Sequence, residues 1–191
     1  MDDKPPNWDK LYEIASAQDG HFTAKQSQEA GYYPQLLTKH IQNGKLIRIR
    51  RGVYRIVHFP PNDHENLTVI WLWSECHGVF SHETALALHH LSDVLPTLAH
   101  MTLPSSESKR RLRVPSGVEI HFGDVEEHQR QWVGCLPVTS PARTLNDCAE
   151  SNFSPDLLSQ AIQEGLSRGL FTSREVSSAK NYLSEFNGKR P

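Results

Sequence analysis

The chain of 191 residues lacks any apolar run long enough to span a bilayer. Its most apolar stretch, "LTVIWLWSECHGVF" (67–80), is short and broken by polar residues. The first twenty residues contain no apolar segment of signal-peptide type. Cysteine is scarce: Cys76, Cys135 and Cys148 are odd in number and widely spaced. That pattern argues against a disulfide framework and fits reduced thiols in a cytoplasmic protein. There is no Gly-rich phosphate loop and no Gly-x-Ser-x-Gly elbow. Acidic residues are nearly missing from one segment. Between 21 and 57, Glu29 stands alone against Lys25, Lys39, Lys45, Arg48, Arg50, Arg51 and Arg55. The whole chain nevertheless carries a net charge of −2. A basic module is therefore joined to an acidic one, and a basic module invites a polyanion.

Histidine is plentiful, and eight of the 11 lie between 64 and 128. Yet "HETALALHH" (82–90) lacks the i, i+4 pair of a zinc helix, and no cysteine has a ligand partner two to four residues away. No metal and no cofactor are expected. Asp93 followed by Glu107-Ser108-Lys109 superficially resembles a nuclease pattern. Those residues sit in "PSSESK", a loop by composition, whereas nuclease carboxylates must be fixed on adjacent strands. The expectation is no catalytic site and no enzyme.

Ahead of the basic segment, "NWDKLYEIASAQ" (7–18) has apolar residues at helical spacing, and Gly20 stops it. Thr23 with Gln26 makes a capping-box pattern at the head of a second helix that ends near Gly31. Pro34 opens a third, "PQLLTKHIQNG" (34–44). At 100° per residue, Leu36, Leu37, His40 and Ile41 share one arc, and Gln35, Thr38, Lys39 and Gln42 the other. Amides, a hydroxyl and an ammonium are the chemistry that reads base edges and phosphates. This is a helix-turn-helix pattern. "KLIRIRRGVYRI" (45–56) then reads as a hairpin turning at Arg51-Gly52. Pairing Arg50 with Val53 would set Ile49 against Tyr54, Arg48 against Arg55 and Ile47 against Ile56. Like charges directly opposite are destabilising unless phosphate or carboxylate lies between them. Helix, helix, helix and basic hairpin is the order of a winged helix-turn-helix. Solvated arginines on a protein-binding winged helix are the bland alternative. No aromatic-rich RNA-binding signature is visible.

"HFPPNDHEN" (58–66) reads as a linker. It separates a winged helix-turn-helix over 1–59 from an α+β domain over 62–191. In the second domain helices are expected at "LTVIWLWSE", "HETALALHHL" with Ser81 as N-cap, "SPARTLNDCAE", "SPDLLSQAIQEGLSRG" and "TSREVSSAKNYLSEF". The last opens on a Thr172/Glu175 capping box. Strands are expected at "GVFS", "AHMTLP", "VEIHF" and "QWVGCLPVT". "KRRLR" is a second basic cluster. It is either a solvated loop or a secondary DNA contact through Lys109, Arg110 and Arg111.

"GHFTAKQSQEAGYYPQLLTKHIQNGKLIRIRRGVYRI", with "FSHETALALHHLSDVLP" and "PVTSPARTLNDCAE" further on, resembles the AbiEi-type antitoxins of type IV abortive-infection toxin–antitoxin systems. The likeness spans about residues 8–150, and the wing ending in "RRGVY" is its sharpest part. The resemblance implies a bacterial two-domain protein that represses its own operon through the winged helix. It also implies a second domain that counters a nucleotidyltransferase-like toxin. The partners implied are double-stranded DNA, with repeated operator sites in its own promoter, and that toxin, but no membrane. DNA contacts would fall on Gln35, Thr38, Lys39 and Gln42 of the third helix, and on Lys45, Arg48, Arg50, Arg51 and Arg55 of the wing. Two other classes stay open: a remnant of a nuclease-like fold, and a winged-helix transcription factor with a sensor domain.

Overall fold

A computed structural model describes residues 5–187. The chain forms two compact units, Met1–His77 and Gly78–Pro191. The fold is α+β, each unit having its own sheet and helices.

The first unit begins with α1 (Trp8–Ser16), α2 (Ala24–Glu29) and α3 (Pro34–Gln42). Asn7 caps α1 by accepting the Lys10 N–H at 3.0 Å. The expected capping box closes on α2. Thr23 Oγ1 accepts the Gln26 N–H at 3.1 Å, and Gln26 Oε1 accepts the Thr23 N–H at 2.8 Å. A short strand that the periodicity did not announce, β1 (His21–Thr23), precedes α2. With β2 (Leu46–Arg50) and β3 (Val53–Ile56) it makes an antiparallel sheet in the order β1-β3-β2. Leu11, Ala15, Phe22, Leu37, Leu46 and Ile56 form the core between this sheet and the three helices. His40 joins the apolar side of α3, stacking on Trp8 and meeting Tyr32 edge-on.

The wing differs from its expected register. Arg50 does face Val53, but Ile49 is bulged out. Arg48 therefore faces Tyr54, Ile47 faces Arg55, and Leu46 faces Ile56. One extra residue in one strand moves every later pair by one, so the expected Arg48–Arg55 repulsion does not arise. Arg55 instead lies on the second face of the sheet, beside α4 (Glu65–Trp73). Its guanidinium donates to Glu65 Oε1 at 2.7 Å and to the Phe59 carbonyl at 2.8 Å. Asp19 bonds the same region, accepting from Asn62 Nδ2 and Thr68 Oγ1, each at 3.0 Å. These polar contacts tie α4 into the first unit, so the division between units falls after His77 and not at Pro60-Pro61.

The second unit has a five-stranded mixed sheet. Its strands are β4 (Val79–Phe80), β5 (Ala99–Leu103), β6 (Val118–Phe122), β7 (Arg130–Val133) and β8 (Leu136–Thr139), in the order β6-β5-β4-β8-β7. β5 runs parallel to β6, and β4 parallel to β8. The segment expected as one strand, "QWVGCLPVT", is a hairpin turning at Gly134-Cys135, with Gly134 at φ 59. Its helices are α5 (His82–Leu88), α6 (Pro141–Glu150), α7 (Pro155–Ser167) and α8 (Ser177–Asn187). Leu86, Leu91, Leu145, Leu158, Ile162 and Phe171 lead their shared core. Thr172 and Glu175 do meet, Thr172 donating N–H and O–H to Glu175 Oε2 at 2.7 Å. That exchange closes a turn, and α8 starts only at Ser177. Ser81 stands at the N-cap of α5, but its hydroxyl is directed elsewhere and caps nothing.

Candidate nucleic-acid interface

The short turn Asn43-Gly44, with Gly44 at φ 68, delivers the chain from α3 to β2. α3 packs on β2 through Leu36, Leu37 and Ile41, so its opposite face is left to solvent. Gln35, Thr38, Lys39 and Gln42 are all exposed there. Thr38 Oγ1 donates to the Pro34 carbonyl at 2.9 Å, which leaves its lone pairs facing outward. Lys45 is exposed, its ammonium 5.9 Å from the centre of the Trp8 ring. Arg48 and Arg51 are exposed and Arg50 is half-buried. Gly52 turns the hairpin at φ 82, a conformation open to glycine.

Arg55 does not join this set. Its side chain is 11% exposed and committed to Glu65 and two backbone carbonyls. The sequence offered no sign of this, because the counter-charge arrives from a helix beyond the two prolines. The second basic cluster is also partly committed. Arg110 pairs with Glu107 at 2.9 Å, and Lys109 and Arg111 are exposed. Glu107 sits in a single 3-10 turn, Ser105–Glu107, while Asp93 accepts from Gln160 Nε2 at 3.1 Å. The two carboxylates of the nuclease-like pattern thus have separate engagements.

Both downstream motifs build one polar cluster in the second unit. Thr102 donates to Ser81 Oγ at 2.8 Å, and Ser81 Oγ lies 2.9 Å from His82 Nδ1. His82 stacks on His121 with centroids 3.7 Å apart, and His100 Nδ1 is 3.1 Å from His121 Nε2. Burial holds His82 down to a pKa of about 3 and also lowers His121; the neighbouring histidines add to both shifts. From α6, Arg143 donates to Asp147 Oδ1 at 2.6 Å and to Gln129 Oε1 at 2.7 Å. Burial raises the Asp147 carboxyl against the pull of Arg143, and its Oδ2 is buried without a partner. A cleft of about 300 Å³ is lined by His82, Thr102, His121, Arg143 and Asp147, among others. No spacing along the chain announces this cluster. Strand register joins His100, Thr102 and His121, and packing of α5 and α6 brings His82, Arg143 and Asp147 to them. The sequence search found no ligand set within one helix or loop; across two strands, His100, Glu119 and His121 converge with ligand atoms within 4.8 Å of one another.

Three helices, a basic two-stranded wing and an exposed polar third helix define a winged helix-turn-helix, the class of the first unit. Residues 9–57 match the family model described as a transcriptional regulator, AbiEi antitoxin. The match falls on the N-terminal module, the same stretch in which the wing motif resembles that family. No curated protein matches the chain. Among solved structures, the chain is similar to the RV2827C protein from Mycobacterium tuberculosis, with a TM-score of 0.52 and 15% identity. The match covers 100% of this chain and 74% of that one. At that identity the likeness is one of fold. No helix among the described residues is long and apolar enough to cross a membrane.

Proposed function

We propose that the protein is a DNA-binding antitoxin that represses its own operon through the first unit and counters a nucleotidyltransferase-like toxin through the second. The observation that carries the DNA reading is the exposed polar face of α3 beside a wing whose Arg48 and Arg51 point to solvent. Gln35, Thr38, Lys39 and Gln42 would enter the major groove, where a glutamine can pair bidentately with adenine. Lys45, Arg48, Arg50 and Arg51 would neutralise phosphates of double-stranded DNA, and Lys109 and Arg111 could add a peripheral contact. Arg55 serves the fold. The role is recognition, and no catalytic step is assigned to any residue. The family description of residues 9–57 supports the regulatory half of this reading.

Titration of a promoter fragment by fluorescence anisotropy at several salt concentrations tests it. With roughly four phosphates neutralised, log K should fall with a slope of about −3 to −4 against log salt. Alanine at Arg48, Arg50 and Arg51 together should flatten that slope and weaken all sequences alike. A slope near zero for the wild type, or unchanged binding in the triple variant, would remove the wing from the interface.

A further inference from the structure

We propose that His100, Glu119 and His121 form a binding site for one divalent transition-metal ion of the zinc class, in the second unit and independent of the DNA interface.

The argument starts from strand register. β5 and β6 are parallel neighbours in which His100 lies beside Glu119 and Thr102 beside His121. Residues paired across a ladder share a face, and so do residues two apart in a strand. Two imidazoles and a carboxylate therefore project from one face of the β5–β6 pair, and their ligand atoms lie within 4.8 Å of one another.

The distances allow a shared proton and also lie close to what a metal requires. His100 Nδ1 and His121 Nε2 are 3.1 Å apart. Two nitrogens bound tetrahedrally to zinc at about 2.0–2.1 Å are about 3.3 Å apart, so the pair is nearly at coordination spacing. Between two neutral imidazoles a single N–H can bridge that gap, using one donor and one lone pair. A cation would engage both lone pairs at once. Glu119 is exposed, so its carboxylate can swing onto the ion with little rearrangement. Two nitrogens and one oxygen select a borderline ion such as zinc or cobalt over calcium or magnesium, which take mostly oxygen.

The surroundings hold the ligands in place. His82 stacks on His121 with an interplanar angle of 17°, and His100 lies nearly parallel to both. Ser81, itself accepting from Thr102, is hydrogen-bonded to His82, while the Thr84 hydroxyl accepts the His100 backbone N–H at 2.8 Å. Supporting groups that fix ring orientation are typical of metal sites. Fourth and further positions would be left to water or to a ligand in the adjoining cleft.

The test uses the full chain freed of metal by chelation. Cobalt(II) is titrated and its visible absorption followed, with zinc competition and calorimetry for stoichiometry. The expected result is one ion per chain, displaced by zinc and not by magnesium. Affinity should fall at least tenfold in His100→Ala and His121→Ala, and measurably in Glu119→Gln. Glu119→Gln changes an exposed side chain, so it leaves the fold intact even if a histidine variant does not. His128→Ala removes an exposed histidine outside the cluster and should bind as the wild type does. Absence of 1:1 binding in the wild type overturns the proposal. So does equal binding in His100→Ala, Glu119→Gln and wild type, the mark of scattered surface histidines.

Discussion

Arg55 is the residue whose role changed most between sequence and structure, and its energetics follow from that. Removing one partner of a paired charge strands the other. Glu65 is 32% exposed, so water softens that cost, and Arg55→Ala should destabilise the first unit by about 1–3 kcal/mol, below the range for fully buried pairs. Urea unfolding measures it, and the nonspecific DNA affinity of folded Arg55→Ala should stay near wild type. Loss of affinity without loss of stability would return Arg55 to the interface. Gly165 makes a similar point in the second core. A Cβ there would fall on the Phe171 ring, so Gly165→Ala should cost about 1–3 kcal/mol through overpacking, read from the unfolding midpoint. His89 gives a pH dependence. Burial lowers its pKa, although its Nε2 donates to the Thr139 carbonyl at 2.7 Å. The folded chain thus takes up a proton less readily than the unfolded chain, which takes one near 6.5. Its stability contribution is therefore complete above that pH and is lost as pH falls through 6.5 towards the lowered folded value. Urea midpoints should drop between pH 7.5 and pH 5, and His89→Gln should show a smaller drop.

Elements with strong local signals were legible in the chain: α1 from its apolar spacing, α2 from its capping box, α3 from Pro34 and Asn43-Gly44. The exposed face of α3 was legible for the same reason, since helical periodicity alone separates Gln35, Thr38, Lys39 and Gln42 from Leu37. β1 was not, because three residues have no period and earn their place only by pairing with β3. The Ile49 bulge was equally hidden, and with it the true face of Arg55, since alternation assumes an unbroken ladder. α4 was expected as a helix but assigned to the wrong unit, because Asp19 and Arg55 hold it through contacts that sequence distance conceals. The histidine cluster was invisible for a related reason: ligand-spacing rules see one helix or loop, whereas His100 meets His121 across two parallel strands. At this scale the DNA reading divides cleanly. Gln35→Ala and Gln42→Ala should each lower operator preference by about 1–3 kcal/mol while leaving nonspecific binding nearly intact. Competition with scrambled DNA measures this, and equal loss on both sequences would make α3 a backbone clamp.

For the whole molecule, two units with separate cores should be separable, and the cut belongs between His77 and Gly78. Residues 1–77 should bind the promoter without protecting cells from toxin, and residues 78–191 should do the reverse. A fragment starting at Asn62 would carry α4 without its sheet and should fare worse in solution than one starting at Gly78. Co-expression with the toxin, beside a gel shift, checks both halves. If protection is lost when only the wing arginines are replaced, the antitoxic effect runs through transcription. The wing has one more consequence, for how copies of the protein keep apart. β2 is the outer strand of its sheet, and Ile47 and Ile49 on it are each 41% exposed. A greasy outer strand is a template for strand-by-strand self-association. Arg48, between those isoleucines, and Arg51, at the turn beyond them, make any two such edges repel, and the bulge spoils their fit. The cations that would grip a phosphate backbone thus also keep the free protein dispersed. Replacing them by serine should raise turbidity in concentrated, DNA-free solution, and strong salt should do so in the wild type by screening the same repulsion.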